Sequence, residues 1–258
     1  MLASALAADL ACALDAATFA ERVTGFTLDA WQRAALRSGA PRMLWCITRQ
    51  GGKSSVAAIT ALHQAVYAPG STVLIVSPSQ RQSGELHRKV MEAHRASGAS
   101  APAEAETLLR LELANGSRII SLPGRTDATV RGYAADLVIV DEASRVADDL
   151  YRSLTPMLAV RPGARLLALS TPYGKVGWFY REWQEGDDRW ERTRVAADRC
   201  PRITAEFLAQ ERASMPGAWY RQEYECSFEE AEDAVFRVDD IRAAFSDDVR
   251  PLFGGDAA

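Results

Sequence analysis

Short apolar runs alternate along the chain with longer amphipathic or charged stretches. Residues 43–47, 72–76, 137–140 and 165–169 are continuous apolar segments of strand length. Runs of that kind predict strands buried on both faces. After the first run, Val56, Ile59, Leu62, His63 and Val66 recur at helical spacing, which predicts a helix over 54–67. Ser77-Pro78 stops the second run, and a charged helix is predicted over 79–96. Residues 108–113 and 118–122, joined by Ala114-Asn115-Gly116-Ser117, predict a hairpin. Strands alternating with helices predict an α/β fold, a mainly parallel sheet flanked by helices. Beyond about residue 196 the long apolar runs cease and polar, aromatic-rich helical segments take over. The predicted organisation is a core at 1–196, a smaller subdomain at 197–246 and a trailing linker at 247–258.

The alanine-rich opening, residues 1–20, lacks a basic start and is interrupted by Asp9 and Asp15, so it predicts a soluble helix rather than a leader peptide. No stretch approaches the roughly 18–20 apolar residues that span a bilayer. With 258 residues the chain is long enough for one large domain with an appendage. Lys and Arg number 30 against 34 Asp and Glu, a net charge of −4, which excludes coating of nucleic acid by bulk charge. Cys12, Cys46, Cys200 and Cys226 have no metal-ligand spacing and are expected as buried free thiols. His63, His87 and His94 form no zinc pattern, and the last two are expected on a solvated helix face. Lysine is rare: only Lys53, Lys89 and Lys175 occur, and every other side-chain cation except histidine is arginine.

One of those lysines stands in a demanding context. Thr48-Arg49-Gln50-Gly51-Gly52-Lys53-Ser54 lies between a predicted strand and a predicted helix. A phosphate-binding loop needs glycines for close backbone approach, a lysine for the β and γ oxygens, a hydroxyl for Mg²⁺ and a helix N-terminus. Gly52-Lys53-Ser54 supplies these in order, followed by Ser55, although Ile47 stands where the general pattern has its first glycine. A second signal is the run 137–140 ending in Asp141-Glu142. In a nucleotide hydrolase the first carboxylate serves the metal and the second polarises the attacking water. Strand C-termini are the ligand edge of open α/β sheets, so the two signals are expected to face one another.

Together these residues resemble the ATPase domain of the large terminase subunit of tailed bacteriophages. The loop at 48–54 is similar to that family's variant Walker A, in which arginine and glutamine replace the glycine-rich lead-in. Val140-Asp141-Glu142-Ala143 is similar to its Walker B with the adjacent catalytic glutamate. Ser170-Thr171-Pro172 resembles its coupling motif, and Trp31-Gln32, after Phe26-Thr27-Leu28-Asp29, its adenine-recognising element. Tyr224-Glu225-Cys226-Ser227-Phe228 is also family-like. The resemblance implies a RecA-like P-loop fold with a C-terminal lid, and a motor that hydrolyses ATP to drive double-stranded DNA into a prohead. It implies Mg²⁺ at Ser54 and Asp141, Lys53 on the phosphates and Glu142 as the catalytic carboxylate. It further implies a homo-oligomeric ring on a portal, expected to be a pentamer, a small terminase subunit as partner, and work in the host cytoplasm.

Arg131, eleven residues before Glu142, is implied as an arginine finger acting on a neighbouring subunit, with Arg125 the runner-up. The plain alternative for Arg131 is a surface arginine paired with an acid such as Asp136. Arg49 is open between sensing γ-phosphate in its own subunit and bracing the loop. The family's nuclease is not expected within this length. Trp178, Phe179, Tyr180 and Trp183 are expected to pack the core rather than stack on bases. Arg189, Arg192, Arg194, Arg199 and Arg202 are open between DNA phosphates, a neighbouring subunit and a solvated face. Two other functions fit parts of the pattern: one RecA-like half of a superfamily 2 helicase, and a non-hydrolysing, nucleotide-gated assembly module.

Overall fold

The computed structural model describes residues 2–98, 101–123, 132–230 and 244. Its centre is a sheet of eight strands: β1 (Arg42–Ile47), β2 (Thr72–Ser77), β3 (Ala103–Glu106), β4 (Arg110–Leu113), β5 (Arg118–Pro123), β6 (Leu137–Asp141), β7 (Arg165–Ser170) and β8 (Trp190–Val195). They lie in the order β3-β4-β5-β2-β6-β7-β1-β8. The six from β5 to β8 run parallel, and β4 and β3 add antiparallel at one margin. Each interior strand sends alternate side chains to opposite faces. Met43, Trp45 and Ile47 enter one core, whereas Leu44 and Cys46 enter the other. This two-sided burial is why those strands read as unbroken apolar runs.

The first face is covered by α1 (Leu2–Leu14), α2 (Ala16–Val23), α3 (Ala30–Arg37), α4 (Lys53–Tyr67) and α5 (Gln80–Ala96). The second is covered by α6 (Asp148–Leu154) and α7 (Gly177–Gln184). Trp178 stacks on Tyr151 with centroids 4.0 Å apart, and its indole N–H donates to the Val146 carbonyl at 3.0 Å. Phe179, Trp183 and Phe228 pack together beside it, so the aromatic cluster serves the core as the sequence predicts. Farther on, α8 (Ala205–Ser214) and α9 (Gly217–Tyr224) gather around a small cluster of Ala197, Tyr220 and Tyr224, with Ile203, Leu208 and Met215 against it. No helix among the described residues is long and apolar enough to cross a membrane.

Four sequence expectations change here. The opening helix is two helices, because Asp15 adopts an extended conformation and caps α2 by accepting from the Ala17 N–H. His87 and His94 are buried rather than solvated: His87 Nδ1 lies 3.0 Å from Ser121 Oγ, and His94 Nε2 lies 2.9 Å from the Ala101 carbonyl. Burial holds the His87 pKa below its ordinary value. The first hairpin strand begins at Arg110 rather than 108, and the unanticipated β3 precedes it. The arginine-rich stretch at 189–202 contains an unanticipated strand, β8, which buries only its end residues Trp190 and Val195 and leaves Glu191 and Arg194 exposed at the sheet margin. All four cysteines are buried and free, as expected.

Asp15 also ties α2 to α3 through Arg37, whose Nη2 sits 2.7 Å from its carboxylate. That guanidinium holds the Asp15 carboxyl well below the usual carboxylate range. Asp15→Ala is expected to lower unfolding free energy by about 1–2 kcal/mol in urea denaturation. Because the folded-state pKa is depressed, the difference is present above about pH 4 and shrinks as pH falls below it. A pH-independent difference would refute the charge-based part.

Candidate functional site

The parallel register decides what meets at the strand C-termini. Cys46 of β1 is level with Ser170 of β7, and Leu169 is level with Asp141 of β6. The three chain exits that follow, toward Thr48, Thr171 and Glu142, therefore leave the sheet side by side. Ile47 is the last residue of β1, fully buried and paired with Val195, which explains an isoleucine where a glycine is usual: the strand runs one step farther before turning. Gln50 (φ 58°) and Gly52 (φ 89°) then adopt left-handed backbone, and Gly52 caps α4 so that Lys53 is its first residue. A Cβ on Gly51 would stand 2.7 Å from Ile47 Cγ2, which is why glycine is needed there.

Lys53 is buried, with its ammonium 3.3 Å from Thr171 Oγ1 and 3.7 Å from Glu142 Oε1. Thr171 Oγ1 in turn lies 3.3 Å from the Ile47 carbonyl. Asp141 is the buried last residue of β6, and Glu142 follows it in left-handed backbone (φ 50°), its N–H donating to Asp141 Oδ1 at 3.0 Å. Burial, then the neighbouring Glu142 charge, push the Asp141 pKa up to about 6, against the pull of Lys53. A buried carboxylate so crowded gains from a cation. With the Ser54 hydroxyl at the start of α4 it offers the hard oxygen donors that suit Mg²⁺ shared with phosphate oxygens. The Ser170-Thr171-Pro172 segment is tied to the acidic loop: Ser144 Oγ lies 2.6 Å from Ser170 Oγ and donates to the Thr171 carbonyl at 2.9 Å. Pro172 is buried beside them, and Arg145 stacks over Tyr173 at 4.0 Å.

Lys53, Ser54, Ser55, Asp141, Glu142, Ser170 and Thr171 thus come together. Thr48 and Arg49 join through the C-terminal helices. The Glu223 carbonyl accepts from Thr48 Oγ1 at 2.9 Å and from the Arg49 N–H at 3.2 Å, and its carboxylate pairs with Arg49 Nε at 3.0 Å. Arg49 is therefore braced, with its side chain largely exposed. Gln32 is fully buried, and its Oε1 accepts from the Asp29 N–H at 2.9 Å in a capping box. Trp31 packs edge-on against Trp45. Arg125 and Arg131 lie outside the described residues. Asp136, the acid suggested as a surface partner for Arg131, accepts from the Thr72 N–H at 2.8 Å and faces Arg161. The arginine-rich stretch is largely engaged within the chain. Arg192 donates to the Glu182 carbonyl at 2.8 Å and Arg194 to that of Glu225 at 2.6 Å, while Arg202 pairs with Asp29 at 2.8 Å.

Three contributors escape sequence reasoning. Glu223 acts mostly through its main-chain carbonyl, which no side chain announces. Ser144 looks like an ordinary residue of a helical turn. Lys89 was a visible signal, being one of three lysines: its ammonium lies 3.4 Å from Ser55 Oγ, and burial lowers its pKa against the pull of Asp141.

A family model described as the N-terminal part of the T4-like-virus-type terminase large subunit matches residues 46–243. The large terminase subunit of Thermus virus P23-45 is 29% identical over 242 residues, covering 80% of this chain and 49% of that protein. That of Escherichia phage T5 is 29% identical over 199 residues, covering 74% of this chain and 44% of that protein. The chain thus spans about half the length of the curated relatives it matches. Among solved structures, the large terminase ATPase domain of Thermus phage P74-26 superposes with a TM-score of 0.71 at 26% identity, over 81% of this chain and 96% of that one. The HK97 bacteriophage large terminase gives 0.67 at 15% identity over 82% and 54%, a likeness of fold alone.

The raised Asp141 pKa has a stability consequence. The folded state holds that proton more tightly than the unfolded chain, so its contribution favours folding below about pH 4 and is lost as pH rises through about 6. Asp141→Asn is expected to stabilise the metal-free protein at pH 8 by up to about 3 kcal/mol, and hardly at all near pH 4. Chemical denaturation in a chelator at both values tests this; equal effects at the two would refute it.

Proposed function

The chain belongs to the T4-like-virus-type large terminase subunits, within their N-terminal part, and on that premise we propose that it is the ATP-hydrolysing motor domain that drives double-stranded DNA into a viral prohead. The observation that carries the proposal is the convergence of Lys53, Glu142 and Thr171 beside a glycine loop that opens a helix. A buried ammonium at that place answers a triphosphate, and a carboxylate 3.7 Å from it stands where an attacking water would need orienting. Nothing in the comparisons favours a helicase half or a non-hydrolysing assembly module.

ATP enters with its phosphates over the loop, where N–H groups at the start of α4 and the Lys53 ammonium neutralise the β and γ oxygens. Ser54 and Asp141 would hold Mg²⁺, which screens charge as it spreads over the transferring phosphoryl group. Once phosphate draws on Lys53, Glu142 is freed to accept a hydrogen bond from water and direct it at the γ-phosphorus. Arg131 of a neighbouring copy would add a permanently charged, two-pronged donor, an effect on the order of 10³–10⁵ in rate for such fingers. Thr171 bonds both to Lys53 and to the loop's lead-in. Departure of phosphate therefore re-sorts the contacts of the coupling motif, and through Ser144 those of the acidic loop. Arg49, tied to Glu223, carries the same event toward α9. Double-stranded DNA, the small terminase subunit and the portal are the partners of this reading, with assembly as a ring.

Glu142→Ala is expected to retain ATP binding in equilibrium titration while steady-state turnover falls by at least about 10²-fold. Undiminished turnover would sink the assignment. For Arg131, specific activity is expected to rise steeply with protein concentration. Mixing Arg131→Ala with Lys53→Ala should restore part of the activity. Confirmed mixed assembly without rescue would rule out action between subunits.

A further inference from the structure

Arg202 belongs to none of the roles above, yet it reaches the phosphate loop from 151 positions away. Its Nη2 donates to the Gly51 carbonyl at 3.2 Å and pairs with Asp29 Oδ2 at 2.8 Å. Both partners are fixed. Asp29 is the N-cap of α3, locked by its reciprocal box with Gln32. Arg202 itself follows Pro201 in a turn closed by the Ile203 N–H on the Cys200 carbonyl at 2.9 Å, with Cys200 buried and Ile203 packed into two cores. The guanidinium is therefore delivered by a rigid turn onto a rigid acid, and the loop carbonyl is the remaining partner.

The consequence follows from peptide geometry. In a trans peptide the carbonyl and the following N–H point to opposite sides of the chain. Holding the Gly51 oxygen outward on Arg202 turns the Gly52 N–H inward, and that N–H donates to no protein group among the described residues. Two glycines in succession make this peptide the most freely rotating in the loop, so an outside restraint matters more here than elsewhere. Gln32 closes in from the same side as Arg202: a Cβ on Gly52 would stand 2.6 Å from its buried Nε2, which has no hydrogen-bond partner among the described residues, and 3.2 Å from Arg202 Nη2.

We propose that Arg202, held by Asp29, is a positioning residue that pre-sets the Gly51–Gly52 peptide so that the Gly52 N–H is aimed at a bound phosphate. The proposal rests on the nucleotide-binding reading of this loop. It makes Arg202 act on the phosphate chain rather than the base, because its contact is with the loop backbone.

Calorimetric titration of the purified chain with ADP, with a non-hydrolysable ATP analogue and with inorganic tripolyphosphate tests it. Arg202→Ala should weaken all three by a common factor of about tenfold, the size of one charge-assisted hydrogen bond. KM for ATP should rise by the same factor, with kcat at saturation changed less than about twofold. Asp29→Asn should reproduce the loss, the double variant should add nothing further, and Arg202→Lys should recover part of it. Unchanged tripolyphosphate affinity in both single variants, with their unliganded melting temperatures retained, would overturn the role. So would a loss confined to ligands carrying the nucleoside, which would place Arg202 at the base. If the unsubstituted chain binds none of the three, the nucleotide reading itself fails.

Discussion

One ammonium shares a buried strand edge with two carboxylates, and the rest of the structure is arranged to keep it there. Lys53 sits between Thr171 and Glu142 while Asp141 lies behind them with its pKa raised. Such a group cannot be satisfied by water and is held only because three strands end at one level. The parallel ladder of β6, β7 and β1 supplies that level, and continuous apolar runs on both faces make the ladder rigid enough to hold it. Two neighbouring acids share one ammonium at close range, with Lys89 the next cation, and Asp141 is left with its proton held unusually tightly. Crowding of this kind is common at functional sites, where perturbed acids and bases cluster.

The loop is also steered from the far end of the chain. Glu223 takes hydrogen bonds from Thr48 and Arg49, and Arg202 takes the Gly51 carbonyl. Val195, ending β8, accepts from the Thr48 N–H at 2.9 Å. Four of the loop's polar groups thus answer to residues beyond 190, so the glycine turn is completed only when the C-terminal segments dock. The loop and those segments are tied together, and the small cluster around Tyr220 and Tyr224 joins the first main core through Ile203, which packs against both.

Much of this was legible because buried parallel strands write themselves as unbroken apolar runs. Residues 43–47, 72–76, 137–140 and 165–169 each became a strand within a residue or so of the expected limits. The chemistry was legible for a related reason: Gly52, Lys53 and Asp141 occupy places where few other side chains serve. The losses have equally physical causes. Strand β3 is exposed at all four positions and β8 lies at a margin, so neither carries the two-sided signature. His87 and His94 follow a heptad beside charged neighbours, and only tertiary packing turns that face inward. Glu223 and Arg202 act on backbone carbonyls and N–H groups, for which the identity of distant residues gives no notice.

The two margins of the sheet have something in common that bears on how copies of the chain can meet. One is β3, with Glu104 and Glu106; the other is β8, with Glu191, Arg192 and Arg194. An unpaired strand edge invites another strand to add to it, and charge along that edge is the usual deterrent. Here one end of the sheet carries acids and the other a mixture of signs. Several of those charges are already committed within the chain, Glu106 to Arg95, Arg192 to the Glu182 carbonyl and Arg194 to that of Glu225, so a strand added at either rim would have to displace these contacts or desolvate the charges. Growth into an open-ended fibre is thereby discouraged, and helices and loops are left as the surfaces through which a closed assembly could form.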